Sequence, residues 1–438
     1  MHRVNYHEKY TKYKAKYIQL KNQNAIIIGG ENDTDTDTNE FFDIVEFIEN
    51  ENFSTIEKDL LSSLNNQTYC DNILGKGLYG EVYVSQPGST IDVITSSGKK
   101  IKMNIVVKKA NEEGDFHIVT IDKKLYIYGY VNITLEAMIL SYFNKLWYRK
   151  VSPHLPFMIG YSSCGSKNNT FVDKIVMERH GLLKNIEMTL EGYNEGPLFF
   201  LRDRNKNLTK WTNNLATLFH LIKYILVNKN DENEVELPNG KKCDIVKLID
   251  YLTISYIHTH NLLQRNNIVP VDMHSENIFI HWLNKNSYLD DEYIGDIEYI
   301  YYEYDDKIIK IETHGILLKI GDVGSCIVIP KNDIMILGQA IDLEKNLHLV
   351  DQLIKPNYLI FNFLYTMKNL LPIYIYEKTV ASKIWSMYPY NELVQIGLPI
   401  DYELLKNYLI PYELLDHFNK YSVSKIDKNK NNFVVKEY

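Results

Sequence analysis

Three glycines at fixed spacing, set among strand-forming residues, constrain this chain more than any other feature. Gly75-Lys76-Gly77-Leu78-Tyr79-Gly80-Glu81-Val82 fits the pattern G-x-G-x-x-G-x-V. Glycine lets a backbone approach phosphate oxygens closely enough for amides to donate to them. The same spacing opens dinucleotide-binding folds, but there a helix must follow the turn. Here the β-type run Glu81-Val82-Tyr83-Val84 follows. The segment therefore reads as a hairpin covering phosphates. Further strand-like runs come after it: TIDVIT, IKMNIVVKK and KLYIYGYV, punctuated by turn signals such as SSGKK and NEEGD.

Four more signals come in order. Lys108 ends the apolar strand Ile105-Val106-Val107-Lys108. Burying a lysine is costly without a partner, and its neighbour Lys109 points to the opposite face. Glu136 is an acid inside the apolar helix expected over Thr134 to Trp147. Asp272-Met273-His274-Ser275-Glu276-Asn277 follows a helix with a buried stripe, Cys243 to Leu263, and precedes the strand-like Ile-Phe-Ile. Asp322 lies in Lys319-Ile320-Gly321-Asp322-Val323-Gly324. Each signal alone has a bland reading: a solvated lysine, an exposed helix acid, or Asp and Asn capping a loop. Their joint order is the argument.

In that order the five motifs resemble those of the protein kinase superfamily over Tyr69 to Gly324. Pro356 to Pro372 also looks like a late helix of the divergent serine/threonine kinases of large DNA viruses, of poxvirus or giant-virus type. The resemblance implies an α+β, bilobal protein-kinase-like fold. It would have an antiparallel β-rich N-lobe with one main helix and a mostly helical C-lobe. The division would be 1–40, a basic helix and acidic linker; 41–180, the N-lobe with a leading helix; and 181–438, the C-lobe with insertions and a basic tail.

The resemblance also implies ATP and Mg2+ and assigns roles. Gly75, Lys76, Gly77, Leu78, Tyr79, Gly80 and Val82 would enclose the nucleotide. Lys108 would hold phosphate and pair with Glu136. Met177 would be the gatekeeper, and Glu178 to His180 would offer backbone to adenine. Asp272 would accept the proton of the acceptor hydroxyl, most simply a serine or threonine on a protein. Asn277 and Asp322 would ligate the metal. Three departures stand out. The H-R-D position reads Pro270-Val271-Asp272, so the arginine that usually receives an activation-loop phosphate is missing. No A-P-E follows Asp322. His274 replaces the usual lysine, as in aminoglycoside and choline phosphotransferases, which leaves a small-molecule acceptor as the alternative and a pseudokinase scaffold as a third reading.

Composition narrows the partners. Net charge is −8 with a pI near 5.9, which argues against specific nucleic acid as the main partner. Four widely spaced cysteines read as free thiols in a reducing compartment, with Cys326 a small buried hydrophobe. The apolar stretch Leu215 to Val227 is too short and too charged to span a membrane, and no signal peptide is expected. These features point to the cytoplasm, or to infected-cell cytoplasm or a virion if the source is viral. The 34 tyrosines, with abundant Asn, Ile and Lys, suit an A/T-rich genome. Tyr6, Tyr10, Tyr13, Tyr17 and Leu20 share a helical face, making the basic N-terminal helix a candidate docking arm. An amphipathic helix is expected over Phe41 to Leu64. The acidic insertion, 285–306, reads as a solvated face and the C-terminal residues as a basic tail.

Overall fold

The computed structural model describes residues from Asn72 to Lys436, except 77–79, 85–90, 95–99, 111–116, 122, 131, 149–150, 165–170, 183, 190–209, 284–287, 290–291, 294–296, 305–306, 332–333, 339–357, 388–412 and 428–431. The helices expected before Asn72 and the acidic linker between them lie outside these residues. By contacts the chain divides into Met1–Phe41 and Phe42–Tyr438. The described residues all belong to the second unit, which is mixed α+β with antiparallel sheets.

Its first sheet is five-stranded. The strands are β1 (Asn72–Lys76), β2 (Gly80–Val84), β3 (Ile105–Ala110), β4 (Met158–Cys164) and β5 (Phe171–Glu178). Their spatial order is β1-β2-β3-β5-β4, and every neighbouring pair is antiparallel. The glycine-rich segment thus joins two strands of a hairpin, with no helix after the turn. A separate two-stranded hairpin, Ile91–Ile94 with Lys100–Met103, leads into β3.

Helix α1 (Asn132–Tyr148) packs against this sheet. Its residues Leu135 to Leu140 are buried without a break, so apolar side chains surround it on all faces, as a core helix requires. Glu136 is the one acid in the helix. After Gly181 come α2 (Leu218–Asn228) and α3 (Ile245–Arg265). Thr217 caps α2, and the Asp244 carboxylate accepts from the amides of Val246 and Lys247 to cap α3. The stripe expected in α3 is wider in the fold, where residues 248–257 are buried without a break, as in a core helix.

Short strand β6 (Ile268–Pro270) leads to the Asp272 loop. Strands β7 (Ile278–Trp282) and β8 (Ile316–Ile320) then pair in register, Ile278 opposite Ile320 and Trp282 opposite Ile316. The long insertion therefore leaves and returns at one hairpin end. Asp322 comes next, then β9 (Cys326–Lys331). A second five-stranded sheet runs β6, β9, Ile334–Gly338, Lys124–Tyr130, His117–Ile121. In it the hairpin just before α1 pairs in parallel with the strand after β9, Leu125 opposite Ile334 and Ile127 opposite Ile336. Helices α4 (Tyr358–Leu370) and α5 (Val380–Trp385) complete the apolar body around α3.

Three expectations need correction. The part after Gly181 carries many strands beside its helices rather than being mostly helical. The insertion is not simply a solvated face: Tyr299–Tyr304 pairs with Lys307–Glu312, and Ile300, Tyr301 and Tyr302 are buried. The Tyr302 hydroxyl meets His154 Nε2 at 2.7 Å and Ser255 Oγ at 3.1 Å. The basic tail includes a strand, Asn432–Lys436, lying parallel to Tyr299–Tyr304. Ile309 and Ile311 alternate inward on Lys307–Glu312, whereas Ile300, Tyr301 and Tyr302 in succession bury both faces of Tyr299–Tyr304. Among the described residues no helix is long and apolar enough to cross a membrane.

Candidate active site

Lys108 is the centre of the site. Its Nζ lies 2.6 Å from Glu136 Oε2 and 2.6 Å from Asp322 Oδ1. Three elements distant in sequence meet there: β3, α1 and the loop after β8. The register explains why Lys108 and not Lys109 turns inward. Lys108 stands opposite Val82 in β2 and Ile175 in β5, whereas Lys109 is exposed. Residues two apart on a strand share a face, so Val106 lies beside Lys108. Met177 is paired with Val106. Val82, Lys108 and Met177 therefore line one face of the sheet.

One ammonium serves two carboxylates, and this unequal sharing sets the electrostatics. Burial pulls the Lys108 ammonium down, but Glu136 and then Asp322 outweigh it and hold its pKa above the ordinary value. Glu136 moves in the direction that opposes the pairing. Burial pushes its carboxyl up, Lys108 only partly offsets this, and Asp322 adds to the rise. The lysine is over-neutralised and the deeper carboxylate under-neutralised.

The Asp322 backbone is left-handed, φ 49° and ψ 49°. That region disfavours most L-residues but tolerates short polar ones such as Asp. The turn aims its carboxylate back at Lys108. Just before it, a Cβ at Gly321 would lie 1.9 Å from the Phe279 ring, so only glycine fits there.

The Asp272 loop is stapled from several sides. Asn277 Nδ2 donates to the Asp272 carbonyl at 2.7 Å, and the Gly321 amide donates to the Asn277 carbonyl at 2.9 Å. Asn362 of α4 donates to the Met273 carbonyl at 3.0 Å. The loop is thus fixed to the Asp322 segment on one side and to α4 on the other. Asp272 itself is open, its side chain 55% exposed, with His274 Nε2 at 3.8 Å from Oδ1. Asn277 spends its amide nitrogen on the loop and keeps its side-chain oxygen available as a ligand atom. Asn277 and Asp322 each carry side-chain oxygen, the ligand type that suits magnesium.

Gly75 and Lys76 end β1, and Gly80 opens β2; Gly77, Leu78 and Tyr79 lie outside the described residues. At the end of β5, the Glu178 amide donates to Phe157 O and the Arg179 amide to Asn104 O, each at 3.0 Å. Among the hinge residues expected to meet adenine, Glu178 therefore has its amide already engaged. Gly181, at φ +82°, turns the chain onward where a Cβ would meet Asn214 O at 2.9 Å.

No family model matches the chain, and neither does any curated protein.

A second cluster escapes sequence reasoning. Glu178 turns its side chain inward. Its Oε1 accepts from Lys319 Nζ at 2.8 Å and from the Phe157 amide at 2.9 Å. Lys319 is fully buried and also donates to Leu155 O at 2.9 Å. Burial opposes the charge on Glu178, but Lys319 and then the neighbouring histidines more than offset this and hold its carboxyl down at about 2. For Lys319 burial outweighs the attraction of Glu178, and its pKa falls below the ordinary value. His180 and His281 stand beside this pair, and burial pushes them down to about 3 and about 4. Lys319 is visible in the Asp322 motif, but nothing local shows that its partner is the hinge glutamate.

Proposed function

We propose that this protein is an ATP-dependent phosphotransferase of protein-kinase type, with a bilobal arrangement around the Lys108 cleft and a serine or threonine hydroxyl on a protein as acceptor. The observation that carries the reading is the Lys108 bridge. A strand lysine, a helix glutamate and a loop aspartate, separated by up to 214 positions, converge within 2.6 Å. A merely structural ion pair would need one carboxylate. Phosphoryl transfer asks for a cation and a metal-binding carboxylate side by side, because its barrier falls chiefly by positioning and charge neutralisation.

The proposal gives each residue a role. Lys108, held upright by Glu136, presents its ammonium to phosphate. Asp322 and Asn277 supply the oxygens that would hold Mg2+, which when bound neutralises charge on the phosphates. Asp272, exposed at the loop surface, orients the acceptor hydroxyl and takes its proton. Val82 and Met177 offer apolar surface to the base.

His274 favours a second reading. It stands 3.8 Å from Asp272 at the place where the acceptor must enter, and small-molecule phosphotransferases of related fold often carry histidine there. The test is incubation with γ-labelled ATP and Mg2+ against generic protein substrates, aminoglycosides and choline. Labelled protein supports the first reading and labelled small molecule the second. No transfer to any acceptor, in a preparation that melts cooperatively, leaves a scaffold.

A further inference from the structure

We propose that Glu178, His180 and His281 form a site for one divalent transition-metal ion of the zinc type, separate from the magnesium site proposed at Asn277 and Asp322. Each residue offers a ligand atom, and these atoms all lie within 4.8 Å of one another. The two imidazoles come from different elements, His180 from the turn after β5 and His281 from β7.

Hydrogen bonding gives the second, independent observation. Both ring nitrogens of His180 and both of His281 are buried without a hydrogen-bond partner. His180 is only 7% exposed. A neutral imidazole has one donor and one acceptor, and native interiors nearly always satisfy them. Four orphaned ring nitrogens at one spot call for an explanation, and a metal ion provides it for the nitrogens that would bind it.

The carboxylate is prepared in the same sense. Glu178 Oε1 is anchored by Lys319 and the Phe157 amide. Its Oε2 faces His281 Nδ1 at 3.7 Å, too long for a hydrogen bond. Ligand atoms on one tetrahedral zinc lie about 3.3 Å apart, given bonds of ~2.0–2.1 Å. The His180 and His281 ring centres are 5.7 Å apart at 82°, against about 5 Å for two imidazoles on one ion. Closing a separation of up to 4.8 Å to about 3.3 Å takes movements of up to about 1.5 Å, shared among the three side chains. Anchoring of a ligand carboxylate by outer donors is the usual support for such centres. His180 also stacks on Phe279 at 5.1 Å, which limits its ring to a narrow range of tilt.

Two nitrogens and one carboxylate oxygen select a borderline ion such as Zn2+ or Co2+ over Mg2+ or Ca2+. Three protein ligands leave a fourth position for water. The Lys319 charge on Oε1 weakens the carboxylate, so affinity in the micromolar range is expected rather than that of a closed structural zinc site.

The experiment uses the full chain, stripped with chelator and titrated with Zn2+ in excess Mg2+ by calorimetry. X-ray absorption on the zinc-loaded wild type comes next. One Zn2+ per chain is expected, with a first shell containing two imidazoles. His180→Gln and His281→Gln should each weaken binding about tenfold or more, since loss even of an outer partner costs ~10- to 100-fold. Asp322→Asn should leave it unchanged. No zinc binding by the wild type, an all-oxygen shell, or binding that survives both histidine variants but fails in Asp322→Asn would each overturn the proposal. The absorption spectrum needs no variant, so misfolding of one cannot leave the question open.

Discussion

Replacing Lys108 with methionine keeps an unbranched apolar stem and deletes the charge between two carboxylates. The carboxylates respond differently. The Asp322 side chain is 34% exposed and can turn to water, but that of Glu136 is 2% exposed and cannot. Removing one partner of a buried pair costs ~3–5 kcal/mol. With ~2.1 cal/mol/K of unfolding entropy per residue over about 400 residues, that is roughly 4–6 °C of melting temperature. The loss has a definite pH dependence. Burial already raises the Glu136 carboxyl above its ordinary value while Lys108 is present, and without the lysine it must rise further. A carboxyl with a folded pKa above its unfolded one destabilises the fold at high pH and ceases to do so below the unfolded value. Each further pK unit adds about 1.4 kcal/mol. The gap between wild type and Lys108→Met should therefore be widest near pH ~8 and narrow as pH falls toward ~4.3. Adding Glu136→Gln should restore about 2 kcal/mol at the higher pH, because a neutral amide replaces the stranded charge. Calorimetric melting of wild type, both single variants and the double variant at several pH values checks this. An equal loss at every pH, or a double variant no more stable than Lys108→Met, would refute the shared-cation argument.

Asp272→Asn should leave folding and ATP affinity intact, since the side chain is exposed and makes no staple of its loop. It should cut turnover by ~10²- to 10⁴-fold, read by single-turnover transfer beside a nucleotide-binding titration. Lys319→Met should cost ~3–5 kcal/mol at neutral pH. Glu178 is held at about 2 in the fold, so its stabilising charge is present above the unfolded carboxylate value and vanishes as pH falls through about 2. The Lys319→Met penalty should shrink in acid, where Glu178 can protonate, and urea titrations across pH would show it. On the proposed kinase-type reading Val271 takes the place of the phosphate-reading arginine, so phosphatase treatment should change the transfer rate less than tenfold, about 1.4 kcal/mol in barrier; a larger drop, followed in a timed assay, would count against this.

Legibility in the sequence varied with range. Lys108 could be singled out because Ile105, Val106 and Val107 run straight into it, and strand alternation then fixed Lys109 outward. Glu136 stood out only through the order of the motifs around it, since an acid in a helix is ordinarily exposed. Asp272, Asn277 and Asp322 were found by spacing between a helix and strands whose periods were plain. The contacts that failed to show are those between segments with no common period. Tyr302 reaches His154 and Ser255 from a charged stretch that is buried on both faces and so has no period of two to read. Glu178 looked like backbone for a base, whereas its side chain belongs to Lys319, 141 positions later. Burial decides such pairs, and burial is a property of the whole fold.

The parallel ladder between Lys124–Tyr130 and Ile334–Gly338 has a consequence for motion. The first strand ends two residues before α1 begins, so the helix that carries Glu136 is tethered by backbone to the segment after β9. Swinging α1 outward would tear main-chain hydrogen bonds, each worth ~1 kcal/mol net, along with the packing of Tyr126, Met335 and Ile336, all buried. The two strands should therefore exchange their amide protons with solvent as one cooperative unit, at a common opening energy, although they lie some 200 residues apart in the chain. A helix tied in this way holds Glu136 against Lys108 for as long as the ladder stays closed.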